Sequence, residues 1–172
     1  MADGTTLPIE AKPELKVRCA TTEDLDQIMT LAMMGTEENG FVPANQNKVL
    51  QEIWSALNMH QGVVGAIGEP GEMVEGAVLL RVGGIWYSDA IMIEEKAIFV
   101  HPSYRKASGG RAARLAEFSK WFADSLGLPL LIGVLSSHRT EAKVRMYTRI
   151  MGPNSGAYWI YWPKGHPQHV EG

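Results

Sequence analysis

The chain has 172 residues, 45% hydrophobic and 20% charged, enough for one domain with a real core. Its 16 basic and 19 acidic side chains leave a net charge of -3, which argues against a broad nucleic-acid surface. The sequence has no run of about 18 apolar residues, so no membrane span is expected. Its single cysteine cannot form an internal disulfide and suits a reducing cytoplasm.

Residues 1–14 lack the basic-then-apolar pattern of a signal peptide and read as a loose arm. Leu15 to Ala20 reads as a first strand, with Cys19 a small buried strand residue rather than a nucleophile. Thr21 offers a helix cap with Asp24 three residues on, and Leu25, Ile28, Met29 and Ala32 form one helical face. Gly35 to Pro43 reads as a break, and a second helix over about Asn45 to Met59 carries Val49, Ile53, Trp54 and Leu57 on one side. The period then changes. Val63 to Ile67 is a short apolar run closed by a Gly-Glu-Pro-Gly turn, Met73 to Val82 follows, and Gly83-Gly84 reads as the next turn. Ile85 to Asp89 and Ala90 to Val100 give one or two further strands of an antiparallel meander.

A third helix, about Gly110 to Leu126, should bury Leu115, Phe118, Trp121 and Phe122 and turn Arg111, Arg114, Lys120 and Asp124 outward. Gly127 and Pro129 end it. Leu130 to Leu135 is continuously apolar, the pattern of a strand covered on both faces. A helix over about Thr140 to Met151 stops at Gly152-Pro153, and Ala157 to Trp162 reads as a last strand. Trp159, Tyr161 and Trp162 suit either a core or a homodimer surface. Residues 163–172 read as a tail, where His166 and His169 lack further ligands at useful spacing, so no metal is expected. The order is β-α-α-β-β-β-α-β-α-β. It predicts an α/β fold, a central mixed sheet with helices on both faces, in one domain spanning 15–162.

The segment Phe99-Val100-His101-Pro102-Ser103-Tyr104-Arg105-Lys106-Ala107-Ser108-Gly109-Gly110-Arg111-Ala112 runs from a strand end through a glycine loop into an amphipathic helix. A loop of this kind aims backbone N–H groups at one point beside the positive end of a helix dipole, which makes an anion site. The Gly-Lys-Ser/Thr ending of a nucleoside triphosphatase loop is absent, as is the Gly-x-Gly-x-x-Gly of a dinucleotide-binding first strand.

This order, with a phosphate-type loop after the fourth strand, resembles the GNAT N-acetyltransferase superfamily over about Val17 to Trp162. Val17 to Leu25 resembles that family's opening strand and helix cap, and Phe99 to Arg105 the end of its fourth strand. Arg145-Met146-Tyr147 through Met151-Gly152 resembles its tyrosine-bearing helix. The chain is also similar to acetyltransferase-like proteins of bacteriophages. Two departures stand out. Ser108 replaces the first glycine of the family's Arg/Gln-x-x-Gly-x-Gly/Ala loop, and Ser136 to Thr140 lacks the asparagine common before the fourth helix.

The resemblance implies acetyl-CoA as donor and an amine acceptor in the cytoplasm, or in the host cytoplasm for a phage-encoded protein. Arg105, Lys106, Ala107, Ser108, Gly109, Gly110 and Arg111 would hold the pyrophosphate, and the edge of Ile98, Phe99 and Val100 the pantetheine arm. It implies Tyr147 as the acid that protonates the leaving thiolate, although Val144, Tyr147, Ile150 and Met151 also make a plain core stripe. For the base it offers Glu94, which shares a strand face with positions 96, 98 and 100 unless a bulge exchanges it with Glu95. His138 is a third candidate. The implied activity is acetyl transfer from acetyl-CoA to a primary amine of a small molecule or protein by direct attack. The alternative is a catalytically inactive protein of the same fold that binds CoA or a macromolecular partner.

Overall fold

The computed structural model describes residues 16–105, 110–136 and 139–156. Five strands, β1 (Arg18–Cys19), β2 (Gly62–Ile67), β3 (Gly76–Ile85), β4 (Ser88–Val100) and β5 (Leu130–Ile132), form one sheet in that spatial order. The first four pair antiparallel, and β5 joins β4 in parallel. Four helices accompany them: α1 (Leu25–Asn39), α2 (Gln46–Leu57), α3 (Arg111–Leu126) and α4 (Thr140–Met151). This is the mixed α/β architecture that the sequence predicts.

The sheet separates two cores. On one face Ile28 and Leu31 of α1 and Ile53 and Leu57 of α2 pack on Val64, Ala66 and Ala77. On the other, Leu115 and Phe118 of α3 pack on Val63, Val78, Leu80 and Ile93. Strand β2 is therefore buried at every position, as expected of a strand covered on both faces. Gly65 lets α3 approach, because a Cβ there would lie 2.6 Å from the Phe118 ring.

Several elements depart from the sequence reading. Helix α1 runs through Gly35 instead of breaking there. A Cβ at that position would lie 2.9 Å from the Phe99 ring, so glycine serves close packing of α1 on β4. Gly83 and Gly84 are paired strand residues opposite Met92 and Ile91. The chain reverses instead at Trp86-Tyr87, because β4 is long enough to continue the ladder past the glycines. Strand β5 stops at Ile132, with Leu131 and Leu135 exposed, since beyond that point it parts from β4. Trp54 and Trp121 lie at the rims of their helix faces and keep half their surface in solvent. Cys19 is exposed because β1 is an edge strand only two residues long. The predicted arm, last strand and tail lie outside the described residues.

Asp24 ties the entry of the chain to the sheet. Its carboxylate, wholly buried, accepts two hydrogen bonds of 2.8 Å from Arg18 and one of 2.9 Å from the Thr21 N–H. The Gly71 N–H of the β2–β3 loop adds a fourth. The Arg18 bonds, foremost, hold the carboxyl down at about 2, from an ordinary 3.8. A lowered pKa means stability that is present above the ordinary value and lost as pH falls toward the lowered one. Asp24→Asn is expected to cost about 3 kcal/mol at pH 7 in urea unfolding. The difference from the parent should shrink between pH 4 and pH 2.

Candidate active site

The site begins at an irregularity in β4. Leu79 of β3 pairs with Ala97, and the next residue, Leu80, pairs with Glu95. Lys96 is thus an extra residue, a β-bulge that shifts the alternation of side chains. Ile93, Glu95, Ile98 and Val100 consequently face α3, while Ala97 and Phe99 face α1 and α2.

The bulge decides between the two candidate glutamates. Glu94 lies opposite Arg81, half exposed, with its carboxylate 2.6 Å from the Lys96 ammonium. Glu95 is buried, accepts a 2.9 Å hydrogen bond from Ser119 of α3, and accepts a short one from the hydroxyl of Tyr147. The structure therefore brings Tyr147 together with Glu95 and leaves Glu94 outside. Ser119 carried no signal in the sequence, where it is one small residue on a helix face.

Burial pushes the Glu95 carboxyl above its ordinary 4.5, against the opposing bonds from Tyr147 and Ser119. Burial, then the Glu95 charge, pushes the Tyr147 phenol upward too, so it stays protonated at neutral pH. The pair is a coupled donor and acceptor. With Glu95 ionised, the phenol holds its proton. With Glu95 protonated, Tyr147 can release one proton outward and take another from the carboxyl.

Strand β5 contacts β4 only over Ile93 to Glu95. From Lys96 to Val100 the β4 edge on that side has no strand partner among the described residues. A cavity of about 470 Å³ reaches this splay from between α1, α2 and the sheet, with Glu95 and Tyr147 in its lining. A second, of about 300 Å³, adjoins it and shares Asn39, Ile98, Phe99 and Lys143. The second is bordered by the first turns of both α3 and α4, at Gly110 to Ala112 and at Arg139 to Lys143. Both helices present their positive ends to it.

Cations line the second cavity. Arg105 is held by a 2.9 Å bond from its Nε to the Val100 carbonyl, by its position 4.7 Å from the Phe99 ring centre, and by Glu38 of α1 at 2.8 Å. Arg111, expected to face outward, folds inward instead: its Nε donates to Glu75 at 2.6 Å, its guanidinium stacks on Tyr104, and it is almost wholly buried. Its Nη1 is buried without a hydrogen-bond partner among the described residues. A buried orphan donor between two helix N-termini fits a phosphate oxygen. Of the loop residues named from the sequence, Ile98, Phe99, Val100, Arg105, Gly110 and Arg111 all line this cavity. Lys106, Ala107, Ser108 and Gly109 lie outside the described residues, as does His138. Among the described residues, no cluster of metal-binding side chains occurs and no helix is long and apolar enough to cross a membrane.

No protein-family model matches the sequence, and no curated protein does. Solved structures match well. An integron cassette protein from the mobile metagenome of the Cole Harbour salt marsh is 20% identical, with a TM-score of 0.62 over 88% of this chain and 91% of its own. A possible acetyltransferase from Clostridium difficile 630 is 15% identical, with a TM-score of 0.64 over 87% and 99%. An aminoglycoside acetyltransferase from a soil metagenome is 13% identical, with a TM-score of 0.59 over 88% and 96%. At such identities the likeness establishes the fold alone, one that this chain shares with solved acetyltransferase structures. The likeness to phage proteins finds no support in these structures.

Above its ordinary pKa, ionised Glu95 weakens the fold. A raised pKa means stability that is full below the ordinary value and lost as pH rises through the raised one. Glu95→Gln keeps an acceptor for Tyr147 and Ser119 but removes the titration. Relative to the parent, the variant should gain stability in urea unfolding as pH rises from 5 to 8.

Proposed function

We propose that the protein is an acyltransferase that moves an acetyl group from acetyl-CoA to a primary amine. The observation that carries this reading is that the Glu95–Tyr147 pair lines a cavity that adjoins the cation-lined one along β4. Arg111, Arg105 and the first-turn N–H groups of α3 fit the donor's pyrophosphate. The Lys96–Val100 edge, without a strand partner beyond β3 among the described residues, offers hydrogen bonds to the amides of its pantetheine arm, and the donor supplies an activated thioester. The GNAT fold, shared with acetyltransferase structures, supports the same reading.

The residues divide the proton work. A neutral amine attacks the thioester carbonyl, a C–N bond forms and the C–S bond breaks. The nitrogen must lose a proton and the sulfur must gain one. Glu95, with a carboxyl raised by burial, takes the proton through solvent in the larger cavity, and Tyr147 gives its own to the thiolate. The proton on Glu95 then restores the phenol. A phenol raised by an ionised neighbour would be a poor acid; protonation of that neighbour removes the obstacle. Glu95 takes the role that the family resemblance offers to Glu94, and the β4 bulge is the reason.

Calorimetric titration with acetyl-CoA and a thiol-release assay with amine acceptors test the proposal together. Saturable donor binding and turnover are expected. Arg111→Ala should weaken donor binding about 10-fold, the loss of one charge-assisted contact. Tyr147→Phe should lower kcat about 100-fold while donor affinity stays within about 3-fold. Absence of donor binding at millimolar concentration rejects the reading. Donor binding without transfer to any amine would instead identify a protein that holds CoA as a ligand.

A further inference from the structure

The larger cavity is built unlike a receptor for a polycation. Its body is apolar: Leu31 and Ala32 from α1, Val49 and Ile53 from α2, and Leu79 and Phe99 from the sheet. Its charged lining among the described residues is three lysines, Lys48, Lys96 and Lys143, against two glutamates, Glu52 and Glu95. Glu52 faces Arg81 at 3.4 Å, Glu95 is committed to Tyr147 and Ser119, and Lys96 is paired with Glu94 at 2.6 Å, so the surplus positive charge is carried by Lys48 and Lys143. Lys143 donates at 2.7 Å to Asn39 and 2.6 Å to Ser136, so its ammonium stands at the junction of the two cavities. A ligand with several ammonium groups would meet like charge at the rim and apolar walls inside. Each of its extra charges would lose hydration without gaining a partner.

We propose that this cavity receives a small primary amine with an apolar alkyl or arylalkyl body, one that carries a single positive charge in solution and gives that proton to water before it attacks. The amine end lies toward Glu95 and the body lies between α1, α2 and Phe99. The cavity, at about 470 Å³, is of the size that holds a small ligand. Specificity then rests on the apolar walls: Ala32 leaves the space that the body fills, and Val49 contributes apolar surface from α2. The inference rests on the acyl-transfer reading and narrows its acceptor.

The test compares acceptors in the thiol-release assay, with acetyl-CoA binding measured separately on every variant. Hexylamine and 2-phenylethylamine are set against spermidine and kanamycin. The expected kcat/KM is at least about 100-fold higher for 2-phenylethylamine than for spermidine. It should rise about 3-fold per methylene from butylamine to hexylamine. Ala32→Trp, which fills the cavity from α1, should abolish that rise while acetyl-CoA still binds. Val49→Glu, a half-buried site chosen in case the tryptophan does not fold, should narrow the gap by favouring spermidine. Transfer to spermidine or kanamycin at equal or higher kcat/KM would overturn this inference and leave acyl transfer standing. A chain-length series with no slope would also overturn it. Failure to bind acetyl-CoA would overturn both.

Discussion

Lys96 has no partner on β3, and the geometry of the site follows from that one surplus residue. A strand exposes alternate side chains to alternate faces, so one extra residue exchanges the faces beyond it. Below the bulge, Glu95 joins Ile93 over α3. Above it, Ile98 and Val100 continue on that same face while Ala97 and Phe99 turn to α1 and α2. A regular β4 could not place Glu95 under Ser119 and also keep Ile98 and Val100 on the α3 core. The bulge also bends and twists the strand locally, next to the point where β5 parts from β4. The open edge and the buried carboxylate therefore lie at the same place, beside the same irregularity.

The packing above the bulge connects the two cavities. Phe99 fills the space left by Gly35, which draws α1 against β4. That ring also carries the Arg105 guanidinium, itself tied to the last carbonyl of β4 and to Glu38 near the end of α1. Asn39, the next residue, accepts from Lys143 of α4. The end of α1 is thus joined to the cation cluster on one side and to the tyrosine helix on the other. A ligand phosphate that competes with Glu38 for Arg105 acts on a helix that also forms one wall of the larger cavity. The two cavities therefore share a structural element, the end of α1.

Much of this was legible in the sequence. The helix Thr140–Met151, the start and stop of α3 and the meander before it all follow from local chemistry: caps, glycines, proline and hydrophobic period. The choice between Glu94 and Glu95 was not, because it depends on pairing with a strand ten or more residues away. Arg111 reads as a surface arginine until Glu75 and Tyr104 are brought beside it by the β3 and β4 ends. Gly35 reads as a helix breaker because the sequence does not show the ring that needs its vacancy. Cys19 reads as core because a short apolar run does not reveal that it will be an edge. Local signals specify elements; long-range register specifies which side chain an element delivers.

Two buried carboxylates show how partners, not burial, set the role. Asp24 and Glu95 are both withdrawn from water. Asp24 meets a guanidinium and two backbone N–H groups, its pKa falls, and its charge becomes part of what holds β1, α1 and the β2–β3 loop together. Among the described residues Glu95 meets two hydroxyls and no cation, its pKa rises, and its ionised form is a cost to the fold. A carboxylate kept only for stability would be better replaced by an apolar residue of similar size in such a place. Its placement against a phenol, in the lining of the larger cavity, instead suits a group whose proton is meant to move.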